Sequence, residues 1–160
     1  MEHRAGDIIL DMKDDQSFEC VHCKKQVSEI SSLGTKYRNH CPYCLWSKHA
    51  DLYAPGDRLA RCNSAMRPIG LTFKQERLDK FGKFVQGEIM LIHSILIDGT
   101  IVINRIAGDD DPNMILKIFE SSKYLRQKTK DRLLEMNIRP LDEKDRTEIN
   151  RQLFGSGSTS

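Results

Sequence analysis

The chain has 160 residues, 39% hydrophobic and 30% charged, proportions of a soluble globular protein that exclude collagen-like, disordered and membrane-spanning readings. Its formal net charge of +2 excludes a histone-like polycation and an acidic solvating tail, so any basic surface is local. A piece of such a chain shorter than about 50 residues needs a staple such as a metal or a disulfide.

Residues 1–17 set Arg4 and Lys13 against five acids without sustained periodicity, which reads as a flexible leader. No basic start followed by an apolar stretch is present, so no signal peptide is expected. Residues 18–85 carry twelve Lys or Arg, six Asp or Glu and all five cysteines. The positive charge and the thiol chemistry therefore share one segment.

Four of the cysteines form two Cys-x2-Cys pairs, Cys20 with Cys23 and Cys41 with Cys44, with 17 residues between the pairs. Two intervening residues let one backbone knuckle aim two sulfurs at one ion, and two knuckles complete a tetrahedral thiolate shell. A single structural Zn2+ is the expected cofactor, with an iron–sulfur centre as the alternative. Because protein sulfurs fill all four positions, a catalytic role for the metal is not expected. With no signal peptide or membrane span read in the sequence, a cytoplasmic location is expected, and its reducing conditions favour thiolate ligation over a disulfide framework.

Basic residues flank the second pair. Lys36, Arg38, Asn39 and His40 precede it, Arg58, Arg61 and Arg67 follow it, and all seven are candidate nucleic-acid contacts. For His40 the favoured role is a ring whose N–H supports a neighbouring thiolate or carbonyl, with contact to a phosphate or base and catalysis as the alternatives. Tyr37, Tyr43, Trp46 and Tyr53 alternate with Lys36, Arg38, Lys48 and Arg58, a pattern suited to stacking exposed bases or to filling a small core.

Residues 88–97 and 100–106 are rich in Ile, Leu and Val and flank Asp98-Gly99, which predicts a β-hairpin with a tight turn. Asp111 caps a helix with Pro112 in its first turn and Met114, Ile115, Ile118 and Phe119 along one face. The acids Asp109, Asp110 and Asp111 read as a solvated turn that spends Asp111 as a cap, with an internal pair to Arg105 or a magnesium site as alternatives. Tyr124, Leu125, Leu133 and Met136 predict a second helix with a basic stripe of Lys123, Arg126, Lys128, Lys130 and Arg132. Asp142 caps a third that carries Ile149, Leu153 and Phe154 and stops at Gly155.

The run Arg38-Asn39-His40-Cys41-Pro42 resembles the signature of the RNHCP domain family. The resemblance extends through Phe18-x-Cys20-x2-Cys23, Gly34-Thr35, Cys44-Leu45-x-Ser47-x-His49-x-Asp51, Pro55-Gly56-Asp57-Arg58, Cys62, Met66-x-Pro68-Ile69 and Asn104-Arg105-Ile106-Ala107-Gly108-Asp109-Asp110. It covers residues 18–119 and implies a small cytosolic metal-binding domain. It also implies a third Cys-x2-Cys-Gly after His93, where this chain has Ile95 and Asp98 in the cysteine slots. Cys62 is then left as a small buried hydrophobe or, with His49 and His93, as the remnant of a second metal site.

The expected fold class is α+β: a small zinc-ribbon-like N-terminal part, a β-hairpin, then C-terminal helices. The expected division is a leader (1–17), a zinc-binding domain (18–120), a helical extension (121–154) and a disordered tail (155–160). Three functions compete. The first is docking on RNA or a ribonucleoprotein through basic knuckle loops. The second is a protein–protein adaptor, and the third a zinc-stabilised nuclease with His40 or His49 as base beside Asp51. No phosphate-binding Gly-rich loop or nucleophile elbow supports an enzyme reading, and no membrane partner is expected.

Overall fold

The computed structural model describes residues 17–28, 40–48, 64–74, 77–78, 80–85 and 87–155. Strands β1 (Ser17–Glu19) and β2 (Gln26–Ser28) pair antiparallel on either side of the first cysteine pair, Phe18 opposite Val27. The second pair leads into β3 (Ser47–Lys48), the short edge of the main sheet. β4 (Ala65–Phe73) is followed by a two-stranded hairpin of β5 (Arg77–Leu78) and β6 (Phe84–Val85). β7 (Ile89–Ile95) and β8 (Ile101–Arg105) then complete an antiparallel sheet of order β3-β4-β7-β8.

Directly opposite residues of an antiparallel pair share a face, so the register assigns the sheet's two sides. Leu71 faces Leu91, Phe73 faces Ile89 and Pro68 faces His93, whereas Gly70 faces Ile92 and Ser94 faces Ile101. Both sides are covered. Leu71, Ile89 and Leu91 pack with Leu45, Ile115, Ile118, Phe119, Leu141 and Ile149, while Ile69, Ile92 and Ile101 pack with Leu133, Leu125 and Ile138. Each such fully buried aliphatic side chain contributes about 1.5–3 kcal/mol.

The C-terminal residues supply both covers. Helix α1 (Pro112–Ser121) starts as its sequence predicts: Asp111 Oδ1 accepts from Asn113 N–H at 2.9 Å, Pro112 stands in the first turn, and Ile115, Ile118 and Phe119 are buried. A 3-10 turn (Ser122–Tyr124) leads to α2 (Gln127–Glu135), whose buried residue is Leu133. Tyr124 is 86% exposed and Met136 also faces outward, so neither serves the packing role its spacing suggested. Asp142 and Asp145 form a reciprocal cap on a second 3-10 turn (Glu143–Asp145), and α3 (Arg146–Phe154) follows, ended by Gly155 at φ 87°.

Beyond the short β3 pairing, the free edge of β4 is covered by later chain: Leu141 N–H donates to Leu71 C=O at 2.8 Å and Thr72 Oγ1 donates to Arg139 C=O at 2.8 Å. Such cover removes an edge on which another strand could pair. The helices predicted as an extension thus share one core with the sheet.

Among the described residues no helix is long and apolar enough to cross a membrane.

Candidate metal centre

Each cysteine pair sits in the same backbone cycle. Cys20 N–H donates to Lys25 C=O at 2.9 Å and Lys24 N–H to Cys20 C=O at 3.1 Å; Cys41 N–H donates to Trp46 C=O at 2.9 Å and Leu45 N–H to Cys41 C=O at 2.8 Å. Closing the cycle requires a left-handed residue after the second cysteine, and Lys24 and Leu45 adopt φ of 67° and 66°. That conformation costs a non-glycine residue about 1–2 kcal/mol. At Leu45 the cost is offset by a side chain buried in the main core.

Backbone N–H groups of His22 and Cys23 point at Cys20 Sγ, and that of Tyr43 at Cys41 Sγ, each at 3.4 Å. The knuckles meet with Cys20 Sγ 3.4 Å from Cys44 Sγ and Cys23 Sγ 3.6 Å from Cys41 Sγ, and all four sulfurs lie within 4.8 Å of one another. Four sulfurs bound tetrahedrally at about 2.3 Å stand about 3.8 Å apart. The cage therefore fits one metal ion.

Burial, the largest influence, pushes the Cys41 and Cys44 thiols up. At Cys20 burial acts the same way but is outweighed by the N–H groups of Cys23 and His22 and by the neighbouring thiols, so the net direction is down. A divalent cation inverts this balance by deprotonating coordinated thiols outright. Val27 and the partly buried Phe18 and Trp46 pack around the sulfurs, with Cys20 and Cys41 buried and Cys23 and Cys44 half-buried.

The second knuckle is pinned to the sheet and to α1. His40 is 3% exposed, and its Nε2–H donates to Asp110 Oδ2 at 2.7 Å, an oxygen that also accepts from Ala107 N–H at 2.8 Å. Asp111 N–H donates to Pro42 C=O at 2.9 Å. His93, fully buried on β7, donates from Nε2 to Leu45 C=O at 2.7 Å and accepts at Nδ1 from Asn104 Nδ2 at 2.9 Å. Burial, the largest influence, holds its pKa at about 4, so the ring is neutral near pH 7 with one donor and one acceptor.

These bonds bear on several sequence expectations. His40 points inward to Asp110, a bracing geometry that leaves its Nε2 no access to RNA. Both nitrogens of His93 are engaged, so it offers no free ligand atom to a second site. Arg105 pairs with Glu88 at 3.2 Å rather than with the following acids. Asp110, read as part of a solvated turn, is buried, and its Oδ1 has no hydrogen-bond partner among the described residues. Asp110 and Asn104 are the positioning residues that charge and periodicity did not single out; only their place in the Asn104 to Asp110 run of the resemblance marked them.

Among the described residues the four cysteines are the only group placed to hold a metal. Arg67 is exposed on β4. Lys36, Arg38, Asn39, His49, Arg58, Arg61 and Cys62 lie outside the described residues, as do Tyr37, Asp51, Tyr53 and the leader and tail segments 1–16 and 156–160.

The backbone cycle occurs a third time. Ile95 N–H donates to Thr100 C=O at 2.8 Å, Gly99 N–H donates to Ile95 C=O at 2.7 Å, and Gly99 has φ 75°. Ile95 and Asp98 hold the first and fourth positions, where the other two knuckles have cysteines. Asp98 Oδ1 accepts from Thr100 N–H at 2.9 Å, as the Cys44 sulfur accepts from Trp46 N–H. The buried Ile95 packs where a thiolate would otherwise stand.

The RNHCP domain model matches residues 15–116, well over half of the chain and including both thiolate knuckles. The chain belongs to the RNHCP domain family. No match was found among curated proteins or among solved structures. The match ends inside α1, yet the core of this RNHCP protein is completed beyond it by Phe119, Leu133, Leu141 and Ile149.

Proposed function

We propose that the cage holds one Zn2+ and that this zinc ribbon docks on RNA or a ribonucleoprotein in the cytoplasm. The observation that carries the reading is the placement of charge. Lys24 and Lys25 are exposed on the first knuckle, Lys48 leaves the second on β3, and Arg67 is exposed on neighbouring β4. Lys36, Arg38, Asn39, Arg58 and Arg61 belong to the same positive segment by sequence. Zinc with four thiolates carries −2 and leaves residues 18–85 near +4, enough to favour phosphates locally while the whole chain stays close to neutral. Closed tetrathiolate coordination suits zinc as a structural ion.

Two measurements test the two halves of the reading. Metal analysis of purified protein should return one zinc per chain; two would overturn the non-ligating role given to Ile95 and Asp98. RNA affinity should fall steeply with salt, log K declining with log salt by about 0.7–0.9 per neutralised phosphate. Salt-indifferent association with a protein would instead favour the adaptor reading, for which one observation speaks. Leu96 and Ile97 at the tip of the third knuckle are 55% and 71% exposed, the kind of apolar pair a protein partner covers.

A further inference from the structure

Around the cage the aromatic side chains are arranged in pairs with rings or cations. His22, at the tip of the first knuckle, lies parallel to Trp46 of the second, ring centroids 4.3 Å apart and planes within 1°. Tyr43, at the tip of the second knuckle, is 49% exposed, and Lys25 of the first places Nζ 4.4 Å from its ring centroid. Lys48 Nζ stands 5.6 Å from the Phe18 ring. The second tip therefore presents an exposed flat ring next to an ammonium group and the first an exposed ring already stacked on Trp46, and the His22–Trp46 and Lys25–Tyr43 pairs both bridge the two knuckles that the cage locks together.

We infer that this face binds a single-stranded segment of RNA, with unpaired bases stacking on His22 and Tyr43 and phosphates lying against Lys24, Lys25 and Lys48. The inference rests on the RNA reading above and narrows it from a charged surface to a stacking platform. The placement of cations favours this occupant. The described knuckle residues and their flanking strands carry Lys24, Lys25 and Lys48 against one acid, Glu19; with the −2 of a zinc–thiolate centre they sum to neutral, so phosphate contact rests on the individual ammonium groups beside the rings and not on a net positive field. A duplex hides the faces of its bases, whereas an unpaired strand exposes them to rings and its backbone to ammonium groups. The His22–Trp46 pair is already a parallel stack, which a base can continue without distorting either knuckle. Rings held by a metal cage also lose little conformational freedom on binding.

The test uses the full-length, zinc-loaded chain and a labelled 12-nucleotide RNA, alone and annealed to its complement, followed by anisotropy at low and moderate salt. The parent should bind the single strand more tightly than the duplex. Tyr43→Ala and His22→Ala should each weaken single-strand binding about 5- to 100-fold, the equivalent of about 1–3 kcal/mol per stacked base. Tyr43→Phe should stay within about twofold of the parent, since the ring and not the hydroxyl is used. Lys25→Ala should reduce the salt slope by about 0.7. One zinc per chain in every variant shows that the cage is intact, and the variants that keep His22 should also keep the emission of the single Trp46. Equal, salt-sensitive binding to strand and duplex, with Tyr43→Ala indistinguishable from the parent, overturns the stacking platform and leaves the RNA reading standing. No binding to either RNA at low salt overturns both.

Discussion

The Asp110 carboxylate gathers His40 from 70 residues away and Ala107 from three, so one side chain fixes the approach of the second knuckle to the start of α1. Asp110→Ala leaves the His40 ring and the Ala107 N–H buried without an acceptor, a loss of about 1–3 kcal/mol for each such group. Because His40 adjoins the ligand Cys41, zinc affinity should drop about 10- to 100-fold. Competition with a chromogenic chelator reads this directly, and an unchanged affinity would remove the positioning role. His93 makes a separate prediction through pH. Its imidazole titrates near 6.5 when unfolded but is held at about 4 in the fold, mainly by burial. The unfolded chain therefore binds more protons between those values, so this contribution is fully present above pH 6.5 and is lost as pH falls toward 4. In denaturant unfolding of zinc-loaded protein, His93→Gln should be less stable than the parent near pH 7. Its deficit should shrink by roughly 2–3 kcal/mol by pH 4.5. Both chains carry the same cage, so acid loss of metal cancels in the difference, and a deficit independent of pH would contradict the assignment.

At the level of elements, a single turn design serves twice with thiolates and once without. In the third knuckle the left-handed position is Gly99, and a Cβ there would stand 2.9 Å from Arg132 Nη1, the group that donates to Gly99 C=O at 2.6 Å. Gly99→Ala should cost about 1–2 kcal/mol from the left-handed backbone alone. It should also loosen the attachment of α2 to the hairpin, visible as faster amide exchange at Arg132 and Leu133. A neutral Gly99→Ala would show that the cycle is not needed for the hairpin. The thiolate knuckles and the helix start at Asp111-Pro112 were legible because local chemistry dictates them. The hairpin was legible too, but its turn was read as the two residues Asp98 and Gly99; in the structure β7 stops at Ile95 and a wider loop follows. β4 was not legible at all. Pro68 and Gly70 break its alternation, and they are accommodated by a register shift between them. Asp110 was misread for the same reason: neither periodicity nor charge reports that a carboxylate will be buried against a histidine far away in sequence.

Across the whole molecule, the two knuckles are anchored unequally. The second is held by His93, by Asp110, by the Asp111 to Pro42 bond and by Leu45 in the main core. Among the described residues the first is joined to the rest through the sulfurs, the small apolar cluster of Val27, Phe18 and Trp46, the His22–Trp46 stack and the cation pairs Lys25–Tyr43 and Lys48–Phe18. The stack and cation–π pairs contribute about 0.5–1.5 kcal/mol each and the buried Val27 about 1.5–3 kcal/mol, too little to order two three-residue strands and their loop against about 1–2 kcal/mol of backbone entropy per residue. The metal is therefore the term that docks the first knuckle, because its binding free energy is spent on ordering its ligands. The sheet and helices carry their own apolar core and do not depend on it. Exhaustive chelation should leave α1, α2, α3 and the β4-β7-β8 strands protected in hydrogen exchange, with helical circular dichroism largely retained. Protection should vanish over residues 17–28, and Trp46 emission should shift to the red as its stacking partner leaves. Returning zinc should reverse both changes. Cys20→Ser should reproduce the chelated state, whereas a first knuckle that stays protected without metal would show that packing alone holds it, and a global collapse would show that the core depends on the cage.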